Sequence, residues 1–494
     1  MKSIEFYLFV VVLFFVVGCN KRIDPNEEHP YNVLFIMIDD LRPQLGCYGD
    51  QTVRTPNIDR LASSGLLFKN AYCQQALCGP SRASILTGLR PENNGVRDLR
   101  TDFREKVPDA VTLPQLFKNN GYESVGLSKI FHLVGFDPKG FGNMNDPDSW
   151  SRPLWLPSRS AWGPVGDSIF QRSYQECLKK GPIGYKNIPR SVAFEAPDIP
   201  DSAMSDGETA LQAINYLTEL KDTSFFLAVG FYKPHLPFVA PKKYWDLYDK
   251  NRLNLPANQY APEGAPRYAY PGLGGDTELR SYTNIPDSGR LSDDLRKDLL
   301  HGYLASISYI DAQVGRLLDE LERLNLREKT VIVLLGDHGY QIGEHDLWGK
   351  KHTNYETSTN TPLIISVPGM EKAGSVTRSL TEFVDIYPTV AELCGLNAPD
   401  NLDGRSLVSL INEPMGHFKD AVFSTYPRGG RIGTSMRTER YRLTEWKKTG
   451  NGGNVEYELY DHSRDPDENK NVANDPSYGE TKAALLATFR KQRP

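Results

Sequence analysis

The amino-acid sequence predicts an α/β sandwich in which helices flank a large, mostly parallel central sheet, followed by a smaller antiparallel sheet. Two observations support this prediction. In the first part of the chain, short apolar runs typical of strands alternate with segments that have the apolar periodicity of helices. After Pro414 this alternation gives way to four short strand-like segments joined by turns. We therefore expect a larger unit over residues 31–415 and a C-terminal subdomain over residues 416–494.

The first 30 residues are expected to be a processing segment and a tether. Residues 1–18 combine a positive start with an apolar core that is too short to span a bilayer comfortably. Cys19 follows a small residue, as the lipidated cysteine of a bacterial lipoprotein signal does; in an ordinary signal peptide it would be incidental. Residues 19–30 are polar and typical of a tether. We expect an exported lipoprotein, held in the periplasm or at the outer membrane by a lipid on Cys19.

Four strand-like runs of the larger unit are followed by polar residues. The runs cover residues 32–38, 122–127, 225–230 and 331–335. Runs of this kind fit strands buried on both faces of a parallel sheet. The polar residues after them are Asp39 and Asp40, Lys129 and His132, Lys233 and His235, and Asp337 and His338. Because ligands bind beyond the carboxyl ends of parallel strands, we expect these side chains to converge on one site.

Between the runs, apolar periodicity predicts helices over residues 206–221 and 295–324. Two stretches, 138–200 and 250–290, interrupt the alternation and are longer than ordinary connections. We expect them to line the site; packing against the edge of the sheet is the alternative. In the C-terminal subdomain we expect four strands and a final helix, over residues 421–426, 432–437, 441–446, 455–460 and 481–491.

Composition narrows the class of partner. The net charge of −5 gives no reason to expect nucleic acid, so any cationic site for an anionic substrate must be local. The six cysteines have no CxxC spacing, and no zinc knuckle is predicted.

Asp39, Asp40 and Asp337, with His338 beside the third, form a candidate metal site. Carboxylates held so close together repel one another and need a counter-charge. A hard divalent cation with oxygen ligands supplies it, and calcium tolerates irregular geometry. His338 is an unusual calcium ligand, and adjacent acids after a strand can instead cap helices. From the residues alone both interpretations stay open.

The stretch from Cys78 to Gly88 predicts a short helix that begins at a cysteine. Pro80 suits the first turn, and Gly88 can close the helix. The helix dipole, and Arg82 one turn on, would favour an oxyanion at position 78 or a charged ligand beside it. A structural cysteine before a short helix is the alternative.

Several motifs occur together in this chain. Cys78-x-Pro80-Ser81-Arg82 is followed by Thr87-Gly88. The other motifs are Asp39-Asp40-Leu41-Arg42, residues 126–132, residues 232–238, Gly336-Asp337-His338-Gly339, residues 343–350, and the tail over 437–441 and 458–466. This set resembles the type I sulfatases, and within them the iduronate-2-sulfatase branch, in which a histidine also stands at the position of His338. The resemblance implies an alkaline phosphatase-like fold.

The resemblance also implies roles for single residues. Cys78 would be oxidised to formylglycine by a formylglycine-generating enzyme, and one hydroxyl of its hydrate would attack sulfur. Ca²⁺ would be bound by the modified residue 78 and by Asp39, Asp40, Asp337 and His338. The other catalytic residues would be Arg82, which holds the nucleophile; Lys129 and Lys350, which neutralise the sulfate oxygens; His235, a general acid to the leaving sugar oxygen; and His132, which deprotonates the second hydroxyl.

The substrate implied is a sulfated oligosaccharide or polysaccharide, of the iduronate-2-sulfate type or with a related sulfated uronate or algal sugar. A phosphate or phosphonate ester hydrolase of the same fold is one alternative. The other is a catalytically silent lipoprotein that binds sulfated glycans, which would apply if Cys78 is never converted.

Overall fold

The computed structural model describes residues 31–132, 145–181, 187–271, 278–450 and 454–493. The predicted signal peptide over 1–18 and tether over 19–30 lie outside these residues. The strands are β1 Asn32–Ile38, β2 Leu66–Phe68, β3 Ala71–Tyr72, β4 Glu123–Ser128, β5 Phe194–Glu195, β6 Phe225–Phe231, β7 Phe238–Val239, β8 Thr330–Gly336, β9 Gln341–Ile342, β10 Trp348–Lys350, β11 Leu363–Ser366, β12 Ser375–Thr377, β13 Thr381–Glu382, β14 Ala421–Arg428, β15 Arg431–Thr438, β16 Tyr441–Lys448 and β17 Glu456–Asp461. The helices are α1 Pro56–Ser63, α2 Cys78–Thr87, α3 Pro91–Asn94, α4 Phe103–Lys106, α5 Leu113–Asn119, α6 Pro164–Lys180, α7 Ser205–Leu220, α8 Lys242–Trp245, α9 Asp293–Arg323, α10 Glu356–Thr359, α11 Ile386–Leu393, α12 Val408–Asn412 and α13 Gly479–Gln492.

The central sheet has seven strands in the order β12-β2-β11-β8-β1-β6-β4. Strands β8, β1, β6 and β4 pair in parallel, and β11 runs antiparallel to its neighbours β8 and β2. The four strand-like runs of the sequence form these four parallel strands. The carboxyl ends of β1, β4, β6 and β8 therefore meet at one edge, which is where the polar residues follow.

Burial on both faces explains why the strand sequences are apolar throughout. Along β1, Leu34 and Ile36 pack into a core that includes side chains of α1, α7 and α9. The alternate residues Val33 and Phe35 pack into a second core, which includes side chains of α2, α5 and α11. Helix α9 buries the predicted stripe, from Tyr303 to Leu321, against the first core. The predicted α/β sandwich is confirmed.

The C-terminal chain forms a four-stranded antiparallel sheet in the order β14-β15-β16-β17. One face carries Met436, Leu443 and Leu459, which pack with Leu485 and Phe489 of α13. The predicted C-terminal sheet and terminal helix are thus present. The boundary between residues 415 and 416 stays a prediction.

The two interrupting stretches behave differently. In the first, the backbone of Trp155 bonds to β4, an edge strand, because the Ser128 amide donates to the Trp155 carbonyl at 2.7 Å. This part packs against the sheet edge, which was the alternative. It also contains α6, a helix the sequence did not predict because few of its residues are buried. In the second stretch, Glu278 lies beside His235 and so lines the predicted site.

None of the helices in the described ranges has the length and apolar character needed to cross a membrane. The five cysteines within these ranges are free thiols.

Asp311 of α9 caps the neighbouring helix α1. Its carboxylate accepts hydrogen bonds from the amides of Asn57, at 3.0 Å, and Ile58, at 2.7 Å. The N-cap residue Thr55 makes no side-chain cap of its own. The first turn of α1 therefore depends on a carboxylate from another helix.

We expect Asp311→Ala to lower the free energy of unfolding by about 2 kcal/mol, because it leaves buried amides without an acceptor. The matched control is Asp319→Ala on the same helix, whose exposed carboxylate pairs with Arg60 of α1 at 2.7 Å. That exposed pair contributes about 0.5 kcal/mol or less. Thermal unfolding of both variants provides the measurement, and equal losses would contradict the assigned cap.

Candidate active site

The carboxyl ends of β1 and β8 bring together the predicted acidic residues. The two strands pair up to Ile38 and Gly336, and the Asp337 amide donates to the Ile38 carbonyl at 3.1 Å. Asp40 has a φ of 58°, and its amide donates to Asp337 Oδ1 at 3.1 Å. Asp39, Asp40, Asp337 and His338 are all fully buried. The predicted convergence of these strand ends is therefore observed.

His338 presents one ring nitrogen to this cluster. Its Nδ1 lies 2.9 Å from the carbonyl of Gly339, and because a carbonyl can only accept, Nδ1 carries the proton. In the neutral ring Nε2 then keeps its lone pair, and this atom lies 3.5 Å from Asp40 Oδ1 and 3.6 Å from Asp337 Oδ1. This tautomer is the one in which Nε2 can bind a metal.

Cys78 is the first residue of α2 and closes the cluster. Its Sγ lies 3.3 Å from His338 Nε2. Asp39, Cys78, Asp337 and His338 each offer one ligand atom, and these atoms lie within 4.8 Å of one another. Asp40, Cys78 and His235 form a second group of this kind. Helix α2 ends as predicted, with Gly88 in the left-handed conformation at a φ of 68°.

The thiol of Cys78 is held in its neutral form. Burial is the main cause that raises its pKa well above the usual value, and Asp39 and Asp337 add to it, whereas Lys351 and Lys129 oppose it. The local sequence had favoured an anion here because of Arg82 and the helix dipole. The carboxylates nearby and the loss of water outweigh that effect.

Arg82 is directed at the carboxylates. Its Nε donates to Asp337 Oδ2 at 2.9 Å and its Nη2 to Asp39 Oδ1 at 3.2 Å. Its Nη1 donates to the carbonyls of Lys129 and Ile130. The guanidinium is fully buried and acts as a counter-charge to two of the three acids.

Lys129 pairs with the same acid, through a contact between its Nζ and Asp39 Oδ2. Burial alone would raise the pKa of Asp39, but Lys129, His235 and Arg82 hold it well below the usual value. Burial opposes the charge on Lys129, yet Asp39 raises its pKa above the ordinary range. Both groups are therefore charged at neutral pH.

The lysine that pairs with Asp40 is Lys351, the neighbour of the predicted Lys350. Lys351 Nζ lies 2.8 and 3.0 Å from the two carboxylate oxygens of Asp40. Lys350 is the last residue of β10. The sequence signal was present as a Lys-Lys pair, but choosing between its members requires the orientation of the strand.

His235 lies at the open side of the cluster. Its Nδ1 is 2.7 Å from the carbonyl of Leu236, which places the proton on Nδ1 when the ring is neutral. Nε2 faces Asp40 Oδ2 at 3.7 Å and Glu278 Oε1 at 3.8 Å. Glu278 is a residue that sequence reasoning missed, since a single acid in an irregular stretch carries no motif.

His132 is also buried, and neither of its ring nitrogens has a hydrogen-bond partner among the described residues. Burial and the positive charge of Lys129 hold its pKa well below the usual value. His132 is therefore neutral at neutral pH and has a nitrogen able to accept a proton.

The donor set fits a divalent cation. Three carboxylates, of Asp39, Asp40 and Asp337, face three cationic side chains, so the cluster is close to neutral in formal charge. A bound divalent cation would add two positive charges and leave a site complementary to an anion. Carboxylate oxygens are hard ligands of the kind that Ca²⁺ takes, and the proton on His338 Nδ1 leaves Nε2 available.

The chain matches a sulfatase family model over residues 31–396 and a model for the C-terminal region of N-sulphoglucosamine sulphohydrolase over residues 343–494. It is 33% identical to iduronate 2-sulfatase of Homo sapiens, over 92% of this chain and 93% of that protein. Two solved structures share the fold. One is a complex with its substrate D-glucosamine-2-N,6-O-disulfate, with a TM-score of 0.73, 23% identity and coverage of 94% of this chain and 97% of that one. The other is a phosphonate monoester hydrolase from Silicibacter pomeroyi, with a TM-score of 0.73, 23% identity and coverage of 94% and 95%.

We expect Ca²⁺ to raise the thermal unfolding temperature of chelator-treated protein, because a ligand at a hundredfold excess over its Kd stabilises by about 2.7 kcal/mol. Asp337→Asn should abolish this response. The matched control is Asp206→Asn, which alters a buried carboxylate that bonds to the Tyr232 amide and belongs to no ligand group found in the described residues. An unchanged response in Asp337→Asn would contradict the assigned ligand.

Proposed function

The chain belongs to the sulfatase family and is a sulfuric ester hydrolase, and we propose that it desulfates a glycan with Ca²⁺ and a formylglycine made from Cys78. The substrate class proposed is a glycan of the iduronate-2-sulfate type, or one with a related sulfated uronate or algal sugar. The observation that carries the proposal is the buried cluster itself. Asp39, Cys78, Asp337 and His338 meet within ligand distance, with Lys129 beside them.

Residue 78 is proposed to be a precursor. A neutral thiol is a poor nucleophile, and burial keeps the pKa of Cys78 well above its ordinary value. Conversion to formylglycine would supply a hydrated aldehyde, with one hydroxyl to attack sulfur and a second that allows the sulfate to leave without attack by water on sulfur. A formylglycine-generating enzyme is the partner this requires.

Asp39, Asp40, Asp337 and His338, with the modified residue 78, would hold the Ca²⁺. When bound, the cation would supply positive charge against the sulfate oxygens. Hard oxygen ligands support the choice of Ca²⁺, and the tautomer of His338 leaves Nε2 to join them.

Lys129 and Lys351 are proposed to bind the sulfate oxygens. Each ammonium is buried and paired with a carboxylate that the cation would also occupy. Cation binding would lower the net negative charge around both lysines and leave them available to an anion. Their fixed positive charge then stabilises the charge that develops in the transition state. Arg82 would hold helix α2, and with it residue 78, in place through Asp337 and the carbonyl of Lys129.

The two histidines suit opposite proton transfers. His235 lies at the open side of the cluster with Nε2 directed into it, so it is proposed as the general acid to the leaving sugar oxygen. His132 is kept neutral by burial and Lys129, so it is proposed to accept the proton of the second hydroxyl.

A phosphate or phosphonate ester hydrolase is the second candidate. The likeness in fold to the phosphonate monoester hydrolase favours it, since the same cluster would bind a phosphoryl group. The family match over residues 31–396 and the 33% identity to iduronate 2-sulfatase favour sulfate. A silent glycan-binding lipoprotein is less well supported, because the acids and cations of the cluster are all in place.

The location proposed is that of an exported lipoprotein, in the periplasm or at the outer membrane, with a lipid on Cys19. The positive start, the short apolar core and the small residue before Cys19 support this proposal.

We expect protein carrying converted residue 78 to hydrolyse an aryl sulfate faster than the matching aryl phosphate or phosphonate. Cys78→Ala should lose turnover and keep part of its Ca²⁺ response. Faster phosphate turnover would support the second candidate, and a thiol-only mass for the peptide around Cys78 from the natural host would support the silent lipoprotein. A desulfation screen over defined glycosaminoglycan and algal oligosaccharides then identifies the sugar.

Lys351→Met is expected to lower kcat by about 100-fold or more, the size of effect seen when one preorganised donor to a transition-state oxygen is lost. Lys350→Met is the matched control and should change kcat by about threefold or less. Steady-state kinetics on the aryl sulfate distinguishes them. A larger loss of kcat in Lys350→Met than in Lys351→Met would instead assign the sulfate-binding role to Lys350.

A further inference from the structure

Lys351 begins a segment, residues 351–360, that folds back on itself; we call it the lysine segment. Ser358 Oγ donates to the Lys351 carbonyl at 2.7 Å, and Thr353 Oγ1 lies 2.7 Å from Ser358 Oγ. The backbone that carries the Lys351 ammonium is thus tied to α10. A contact that fixes the position of the lysine segment therefore also fixes the backbone of Lys351.

The C-terminal sheet presents a buried polar face to the lysine segment. Because side chains alternate along a strand, Leu443 and Leu459 pack with α13 while Arg442 and Glu458 point to the other side. Arg442 and Glu458 are each 1% exposed. An antiparallel sheet with one apolar face commonly exposes the other to water. A buried polar face therefore indicates a partner, which here is the lysine segment.

A backbone carbonyl and a side-chain amide of the segment bond to β14 and β15. Arg428, the last residue of β14, donates to the carbonyl of His352, the residue after Lys351. Asn354 Nδ2 donates to the carbonyl of Gly433 in β15 at 3.0 Å. The turn after Lys351 is therefore fixed from outside the central sheet.

Tyr355 anchors the segment to β17. Its Oη donates to Glu458 Oε1 at 3.1 Å, and Glu458 also accepts from Trp446 Nε1 at 2.6 Å and from Tyr460 Oη at 2.7 Å. Burial raises the pKa of Glu458 to about 7 in spite of these donors. The tyrosine hydroxyl thus sits in a closed network with defined geometry.

Glu356 anchors the segment to β15 and β16. Its carboxylate accepts from Arg442 Nη2 at 2.5 Å and from Arg437 Nε at 3.2 Å. Its amide donates to Glu468 Oε2 at 2.7 Å, and Arg442 Nε bonds to the other oxygen of Glu468 at 2.5 Å. Arg442 therefore bridges two carboxylates, of which one belongs to the segment.

Glu356, His462 and Glu468 also lie close enough together to hold a metal ion. The guanidinium of Arg442 already pairs with both of these carboxylates. The cluster is therefore an ion-pair network.

We propose that the C-terminal sheet is the element that positions Lys351, with Arg442 and Tyr355 as positioning residues. The inference rests on the proposed role of Lys351 towards sulfate. A lysine ammonium lies at the end of a flexible stem, so its place is reproducible only when its backbone is fixed. All four strands of the sheet contact the lysine segment, and a misplacement of about 1 Å can cost about 100-fold in rate.

The test measures kcat and KM on an aryl sulfate for Arg442→Lys and Tyr355→Phe, each with native Lys351 and with Lys351→Met. A lysine at 442 keeps the charge but cannot bridge two carboxylates as a guanidinium does. With native Lys351 we expect kcat to fall about tenfold for Arg442→Lys and about threefold for Tyr355→Phe, with KM changed less than about twofold. In the Lys351→Met protein both substitutions should lower kcat by less than about 1.5-fold.

Lys419→Met is the matched control. It breaks a buried ion pair with Glu382 and Asp385 between the C-terminal region and the larger unit, without touching the lysine segment. It should lower thermal stability and leave kcat unchanged with either residue at 351.

The positioning role is overturned if each substitution lowers kcat in the Lys351→Met protein by the same factor as in the protein with native Lys351. If Arg442→Lys fails to fold, Tyr355→Phe decides, because it removes one hydroxyl only. Full activity of Lys351→Met would instead overturn the proposed role of Lys351 itself.

Discussion

The rest of the structure depends on burying three carboxylates at the carboxyl ends of β1 and β8. Asp39, Asp40 and Asp337 have no access to water, and an uncompensated charge in such a place costs several kcal/mol. Hydrogen bonds from backbone amides offset part of that cost, as the Asp40 amide does for Asp337. Cationic side chains must offset the remainder. The cluster is therefore stable only when the surrounding elements deliver those cations.

The cations come from parts of the chain that are far apart in sequence. Arg82 lies on α2, Lys129 follows β4 and Lys351 follows β10, and each contacts a carboxylate of the cluster. Assembly of the site is thus linked to the packing of helix α2, of edge strand β4 and of the β9–β10 hairpin. In the proposed function the same charges would serve two purposes: they neutralise the acids and, once a divalent cation is bound, would attract an anionic ester.

The strand ends could be predicted because an uninterrupted apolar run has one favourable environment, a strand buried on both faces, and β1 and β8 realise it. The orientation of side chains beyond the end of a strand could not be predicted from the sequence. Lys350 and Lys351 are chemically alike, and only the direction of the chain after β10 distinguishes them. Arg82 was expected to hold the nucleophile at residue 78, and this stays a prediction. In the structure its guanidinium donates to Asp337 and Asp39, contacts that no local motif indicates. Glu278 reaches His235 from an irregular stretch that has no period to interpret.

The polar face of the C-terminal sheet has different surroundings in the structure from those expected from the sequence. From sequence it is a small antiparallel sheet with a helix, and the charged residues of β15 to β17 would be assigned to the solvent side. In the structure Arg442 and Glu458 are buried against the lysine segment. Burying charge is unfavourable unless the geometry is satisfied on both sides, so such an interface tolerates few alternative arrangements. An apolar interface of the same size could slide by a fraction of an ångström at little cost. The network here cannot be displaced in this way, because the Arg442 guanidinium must bond to two carboxylates and the Tyr355 hydroxyl to a third. That resistance to small displacement suits the role proposed for Lys351, whose ammonium would have to meet the sulfate oxygens in the transition state.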